Sequence, residues 1–280
     1  MTSSAERPPN DATDDMTRNG HRVLLPSSLR VEHHGDVAVL RLCRAAKRNA
    51  LDDTTVLGLE AFFSAPPTGV KVVVLDAEGD HFSAGLDLSE LVERDAFEGL
   101  EHSMMWHRAF ERIESGRLPV IAVLKGAVVG GGLELACAAH IRVAEPSAFY
   151  ALPEGQRGLF VGGGASVRVP RLIGAHRMAD MMLTGRVYDA RDGHTIGLSH
   201  YLTEAGQGLA HALELAKKVA ANSPVTNFAV LQALPRIAEA NPAEGYLLES
   251  LMAAVAGGSE EAKTRMRAFL EGRAAKVERK

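Results

Sequence analysis

The sequence predicts an α/β protein whose parallel strands are covered on both faces and whose last part is helical. Three observations carry this. Two apolar runs of strand length, residues 70–75 (VKVVVL) and 120–124 (VIAVL), lack the alternation of a half-solvated strand and read as strands buried on both faces. Each run leads through a glycine-containing loop into a helical pattern, residues 86–91 after the first and 131–139 after the second, so two helix N-termini are expected near one sheet edge. Beyond Gly206 the strands cease, which marks a boundary near residue 205.

The elements follow in order. Residues 1–22 are polar, with Asp, Pro and Ser in place of an apolar leader, and read as a disordered tail. Residues 29–42 (LRVEHHGDVAVLRL) read as a hairpin turning at His34-Gly35-Asp36. Asp52 or Asp53 can cap a helix running to about Phe63. Residues 101–115 carry apolar side chains at 105, 106, 109, 110 and 113, the spacing of an amphipathic helix. Helical stretches are then expected at 209–222, 225–238, 242–257 and 260–277. The division is a tail (1–22), a core holding the site (23–205) and a helical oligomerisation region (206–280).

Composition removes several function classes. A net charge of −4 offers no basic field to a nucleic acid. The most apolar region, residues 120–144, is interrupted by Lys125, Glu134, His140 and Arg142, so no membrane span is expected and the protein reads as cytosolic. Cys43 and Cys137 have no zinc-ligand spacing and read as small buried hydrophobes, and the eleven histidines include no HExxH, so no metal is expected. Ser83 lacks the preceding glycine of a hydrolase elbow, since His81 stands there.

The chemistry lies in three glycine-rich stretches. In KGAVVGGGLELAC (residues 125–137) three glycines open a helix, which allows either a ligand or a neighbouring backbone to come very close. The free amide of Gly131 and the partial positive charge of the helix N-terminus suit a developing oxyanion. DHFSAGLDLSEL (residues 80–91) repeats the arrangement, and two amides converging on one oxygen would form an oxyanion hole. Glu134 stands one helical turn after Gly131, and Glu154 lies in the third stretch, YALPEGQRGLFVGGGASVRVPRLIG (residues 150–174). If both acids enter one apolar cleft, their repulsion raises one pKa and lets an acid and a base coexist. Taken singly, each such glutamate is more often a solvated or salt-bridged surface residue.

In LCRAAKRNAL (42–51), FSAGLDL (82–88), GAVVGGGLEL (126–135) and LPEGQRGLFVGGGASVRVPRL (152–172), in this order and spacing, the chain resembles the crotonase (enoyl-CoA hydratase/isomerase) family. The resemblance implies a spiral of ββα units with a helical C-terminal segment, assembling as homotrimers or dimers of trimers. It implies oxyanion donors at Leu86 and Gly131, and an acid/base pair of Glu134 and Glu154. Substrate contacts would fall at Lys47, Arg48, Ala84, Gly85, Asp87, Gly130 and Gly162. The implied reaction is hydration of a trans-2-enoyl-CoA, the coenzyme A thioester being substrate and no cofactor being needed. Isomerisation, hydratase-lyase cleavage and non-catalytic acyl-CoA binding are the alternatives. Lys47 and Arg48 could hold the CoA phosphates or be a solvated loop, and Met104, Met105, Trp106 and Phe110 could wall the acyl chain or be core. The chain departs from the family pattern at Ala45, His140 and residues 160–163.

Overall fold

The hairpin forms as its alternation predicts: β1 (Leu29–His34) runs antiparallel to β2 (Val37–Leu42), with Gly35 at positive φ in the turn. The computed structural model describes residues 17–18, 21–22, 24–90 and 93–273. Thr17–Arg18 and His21–Arg22 pair as a short ladder. The rest of the expected tail and the end of the last helix lie outside the described residues.

After β2 come α1 (Asp53–Ser64), β3 (Val72–Ala77), α2 (Ala96–Glu114), β4 (Val120–Leu124), β5 (Ala127–Val129) and α3 (Gly131–Ala138). Then follow β6 (Ile141–Ala144), β7 (Phe149–Ala151), α4 (Ala165–Ile173), α5 (Ala175–Thr184), β8 (Tyr188–Asp189), α6 (Ala190–Ile196), β9 (Tyr201–Leu202) and α7 (Gly208–Ala220). The main sheet has the order β9-β6-β4-β3-β2-β1, parallel except for the hairpin, and a smaller sheet has the order β8-β7-β5.

Both faces of the main sheet are covered, as the apolar runs required. Val39, Val74, Ile121 and Val123 pack against Ala212 and Ala216 of α7. Leu40, Leu75 and Leu124 on the other face join Phe62, Phe110, Ile113 and Leu133 in the main core.

Several elements differ from expectation for identifiable reasons. The run at 70–75 begins its ladder only at Val72, because Lys71 and Val72 first donate to Asp36 O in closing the hairpin end. The helix expected at 86–91 is, where described, a single 3₁₀ turn, Leu88–Glu90. Residues 85–87 are held beside Leu51 by a parallel bridge at Leu86, and the Asp87 side chain takes the amide of Ser89. The helix expected from 101 starts at Ala96, capped by Asp95 with Glu98 completing a reciprocal capping box. Asp52, not Asp53, caps α1 by accepting from the Thr55 amide.

The stretch expected as one helix at 225–238 divides into α8 (Pro224–Phe228), a π turn (Ala229–Ala233) and α9 (Leu234–Glu239). Pro235 has no amide to give and crowds the preceding turn, and the wider π turn absorbs it. α10 (Pro242–Gly258) and α11 (Glu260–Leu270) end the described chain. Cys137 is buried in α3; Cys43 lies just past β2 and is half-buried.

Candidate active site

The loop after β3 is strung between two backbones. Leu51 N donates to Gly85 O at 2.8 Å and Asp87 N to Leu51 O at 2.8 Å, while Ser83 exchanges hydrogen bonds with Ala127 and Val129. This pairing turns the Leu86 amide away from Leu51, and no acceptor for it occurs among the described residues. Gly131 is the first residue of α3, so its amide is unspent for the reason every helix N-terminus leaves amides unspent. The two donors are close: a methyl built on Gly131 would lie 3.4 Å from Leu86 N and 2.7 Å from Cζ3 of Trp106. Only glycine fits there.

One turn into α3, Glu134 is buried, and its Oε1 accepts from the amides of Gly163 at 2.8 Å and Ala165 at 3.0 Å. Burial pushes its pKa up, while the Ala165 and Gly163 amides and the Arg168 charge oppose that rise. Glu154 comes from a 3₁₀ turn, Pro153–Arg157. Its Oε2 is buried and has no partner among the described residues. A methyl on Gly130, at φ 52°, would lie 2.5 Å from its Oε1. Burial pushes Glu154 up to about 7; the charge of Glu134 adds to this, and its own backbone amide and Arg157 oppose it.

Both carboxylates and both amides line one cleft of about 510 Å³, within the range of small-molecule sites. Ala84, Gly85, Gly130 and Gly162 line it too. Two larger clefts, of about 850 Å³ beside His211 and about 900 Å³ beside Asp76, contain none of these groups.

Lys47, Arg48 and Asp87 are outside the lining. Lys47 ends a 3₁₀ turn (Ala45–Lys47) and Arg48 follows at φ 51°, both exposed. Asp87, expected among the substrate contacts, is engaged in ion pairs outside the cleft. Its buried carboxylate pairs with Lys47 at 2.8 Å and Arg44 at 2.6 Å, and Lys47, the Ser89 amide and hydroxyl and Arg44 hold its pKa well below the usual range. The residue anchors the basic loop from beneath. Asn49, unmarked in the sequence reading, does the same, donating to Glu78 O and His81 O at 2.8 Å each.

Of the four α2 residues considered as an acyl wall, Trp106 alone lines the cleft. Phe110 is buried in the core, Met105 packs on it and Met104 faces out. The wall is the stripe Gly99, His102, Ser103 and Trp106, the i, i+3, i+4, i+7 face of the helix. That stripe was legible in the spacing, but its polar members hid it. His102 Nε2 is 2.7 Å from Asp53 Oδ1, and Ser103 donates to Gly162 O at 2.6 Å. Arg94 and Arg157 complete the polar lining.

The chain is similar along most of its length to known proteins. A family model described as enoyl-CoA hydratase/isomerase matches residues 32–280. The chain is 30% identical over 246 residues to a short-chain-enoyl-CoA hydratase of Clostridium acetobutylicum, covering 87% of this chain and 94% of that one. It is 31% identical over 251 residues to a 2,3-dehydroadipyl-CoA hydratase of Escherichia coli, covering 88% and 97%. A solved structure from Rhodopseudomonas palustris CGA009, whose assignment as an enoyl-CoA hydratase is itself provisional, is 63% identical. It superposes with a TM-score of 0.86 over 90% of this chain and 97% of that one. On this match and this fold, the chain belongs to the enoyl-CoA hydratase/isomerase family.

Proposed function

We propose that the protein adds water across the C2–C3 double bond of a trans-2-enoyl-CoA to give a 3-hydroxyacyl-CoA. The observation that carries this reading is the meeting of Glu134 and Glu154 with two unspent amides in one cleft. The Leu86 and Gly131 amides take the thioester oxygen as it gains enolate charge, and each such donor contributes about 2.7–4 kcal/mol to the transition state.

The two acids differ in a way that suggests their roles. Burial raises the pKa of Glu134, but two amides grip it and Arg168 faces it, and these oppose the rise; it is the acid assigned to accept the proton of the water that attacks C3. Glu154, raised to about 7, holds a proton near neutrality and delivers it to C2. One water adds in all: its oxygen and one hydrogen go to C3, and a proton to C2.

The exposed Lys47 and Arg48 suit the phosphates of CoA. The names of the Clostridium and Escherichia relatives support hydration as the reaction. The same reading takes the protein as cytosolic and as a homotrimer or dimer of trimers; no helix among the described residues is long and apolar enough to cross a membrane.

The test is incubation of a trans-2-enoyl-CoA panel with the protein in ¹⁸O-water. The expected product carries heavy oxygen at C3, and Glu134→Gln lowers its formation by roughly 10²–10⁴-fold. A 3-enoyl product without heavy oxygen, which takes up deuterium when the incubation is repeated in ²H₂O, would make the enzyme an isomerase. Tight binding without conversion would make it an acyl-CoA binder.

A further inference from the structure

We propose that Arg168 is a positioning residue for Glu134: its guanidinium ties the Gly163 carbonyl to the end of α2, and so holds the 162–165 turn in the shape whose amides grip the carboxylate. The proposal rests on the reading of Glu134 as the group that activates water. It concerns a residue that touches no substrate and acts only through the turn.

Arg168 is buried on α4. Its Nε donates to Glu114 Oε2 at 2.7 Å, and its Nη1 donates to Gly163 O at 2.9 Å. Gly163 is therefore held on both sides, its carbonyl by Arg168 and its amide by Glu134. Gly164 has φ 105°, and a methyl there would collide with Arg168 Nη1, so the turn is moulded on the guanidinium. A planar fork with separate donors can make both contacts at once, whereas a lysine ammonium cannot reproduce that geometry.

The far end of the tie is fixed too. The Glu114 carbonyl lies 3.0 Å from His140 Nε2, while His140 Nδ1 accepts from Val120 N at 3.0 Å; that pairing makes Nε2 the donor. Gln232 donates to Ser115 O and Gly116 O just beyond. His140, one of the chain's departures from the family pattern, thereby helps to hold the anchor of the tie.

A residue that merely neutralised Glu114 would need only the first of these contacts. The charged and titratable groups facing the assembly are Glu114 and His107 from α2, Cys137 from α3 and Glu154 from the 153–157 turn. Beside the Ala165 and Gly163 amides, Arg168 is the buried cation whose charge favours the ionised form of Glu134.

The experiment compares the full-length protein with Arg168→Met and Arg168→Lys, following turnover against pH, thermal melting and a ¹³C NMR titration of the Glu134 carboxyl. The resonance is assigned from its absence in Glu134→Gln. Arg168→Met is expected to move the Glu134 midpoint, and the acid limb of kcat/KM, upward by roughly one pH unit or more. Its kcat is expected to fall roughly 10- to 100-fold with KM much less changed. Arg168→Lys keeps the charge and loses the geometry that sets the two amides, so its midpoint is expected to rise less than that of Arg168→Met while kcat still falls.

A folded Arg168→Met protein with an unmoved midpoint overturns the proposal, as does a lysine variant with wild-type kcat. If the methionine variant does not fold, the lysine variant carries the test. The NMR titration needs no turnover, so absence of hydration in the wild type would refute the functional reading and leave the coupling of Arg168 to Glu134 separately decided.

Discussion

At Glu154, burial and the neighbouring charge of Glu134 both favour the protonated acid, and the consequence has a definite sign. Its pKa rises from 4.5 to about 7 on folding. The stability it contributes is therefore fully present below about pH 4.5 and is lost as pH climbs through about 7. Melting temperature is expected to decline over that interval, and Glu154→Gln, which mimics the neutral acid, is expected to flatten the decline. If Glu154 is the proton donor, wild-type kcat/KM also falls above about pH 7, measured on a crotonyl thioester. Gly130 allows an independent check. Gly130→Ala would press a methyl against Glu154 Oε1 from a backbone of positive φ, and displacing the acid by about 1 Å is expected to lower kcat by roughly 10²-fold. Both acids and both amides were legible in the sequence because ordered motifs carry them. Arg168 was not, because its contact with Glu114 crosses the fold, and its contact with Gly163, five residues before it, depends on the turn at Gly164.

The elements around the cleft divide between those set by local pattern and those set by distant partners. The hairpin, α1, α2 and the buried strands follow from periodicity and caps. The segment from Leu86 instead reads as helical in the sequence and begins as a bridge to Leu51, a ladder partner that no window of sequence contains. The basic loop at 44–49 is a second such case. Its shape depends on Asp87, forty residues away, and on Asn49, whose side chain satisfies two carbonyls. Asp87→Asn leaves Arg44 and Lys47 without their shared counter-ion. It is expected to loosen the loop and raise KM for CoA thioesters more than it lowers kcat. The same change is expected to lower the melting temperature by about 2–4 °C for each kcal/mol lost. A variant with unchanged KM would show that the loop does not meet the nucleotide.

Taken as a whole molecule, the chain leaves its helical end uncovered. Of the residues of α10 only Gly245 is buried, although Tyr246, Leu247, Leu251 and Val255 face outward; Phe269 and Leu270 of α11 are exposed as well. A helix apolar on so many sides needs a second surface. We expect light scattering to give a trimer or a multiple of it, and Leu247→Asp with Leu251→Asp to shift the population toward monomer; an active wild-type monomer would count against the assembly. That region was legible as helical and apolar, but its partner surface is not written in one chain's periodicity. The oxyanion hole carries a last consequence, in the order of folding events. Its donors belong to segments separated by all of α2 and β4, and they meet only after residues 83–87 have docked between the 49–51 and 127–129 backbones. Closing such sequence-distant contacts is slow compared with forming helices. After dilution from denaturant, recovery of turnover is therefore expected to lag the far-ultraviolet circular dichroism signal, because helix content returns before the two amides share an oxygen.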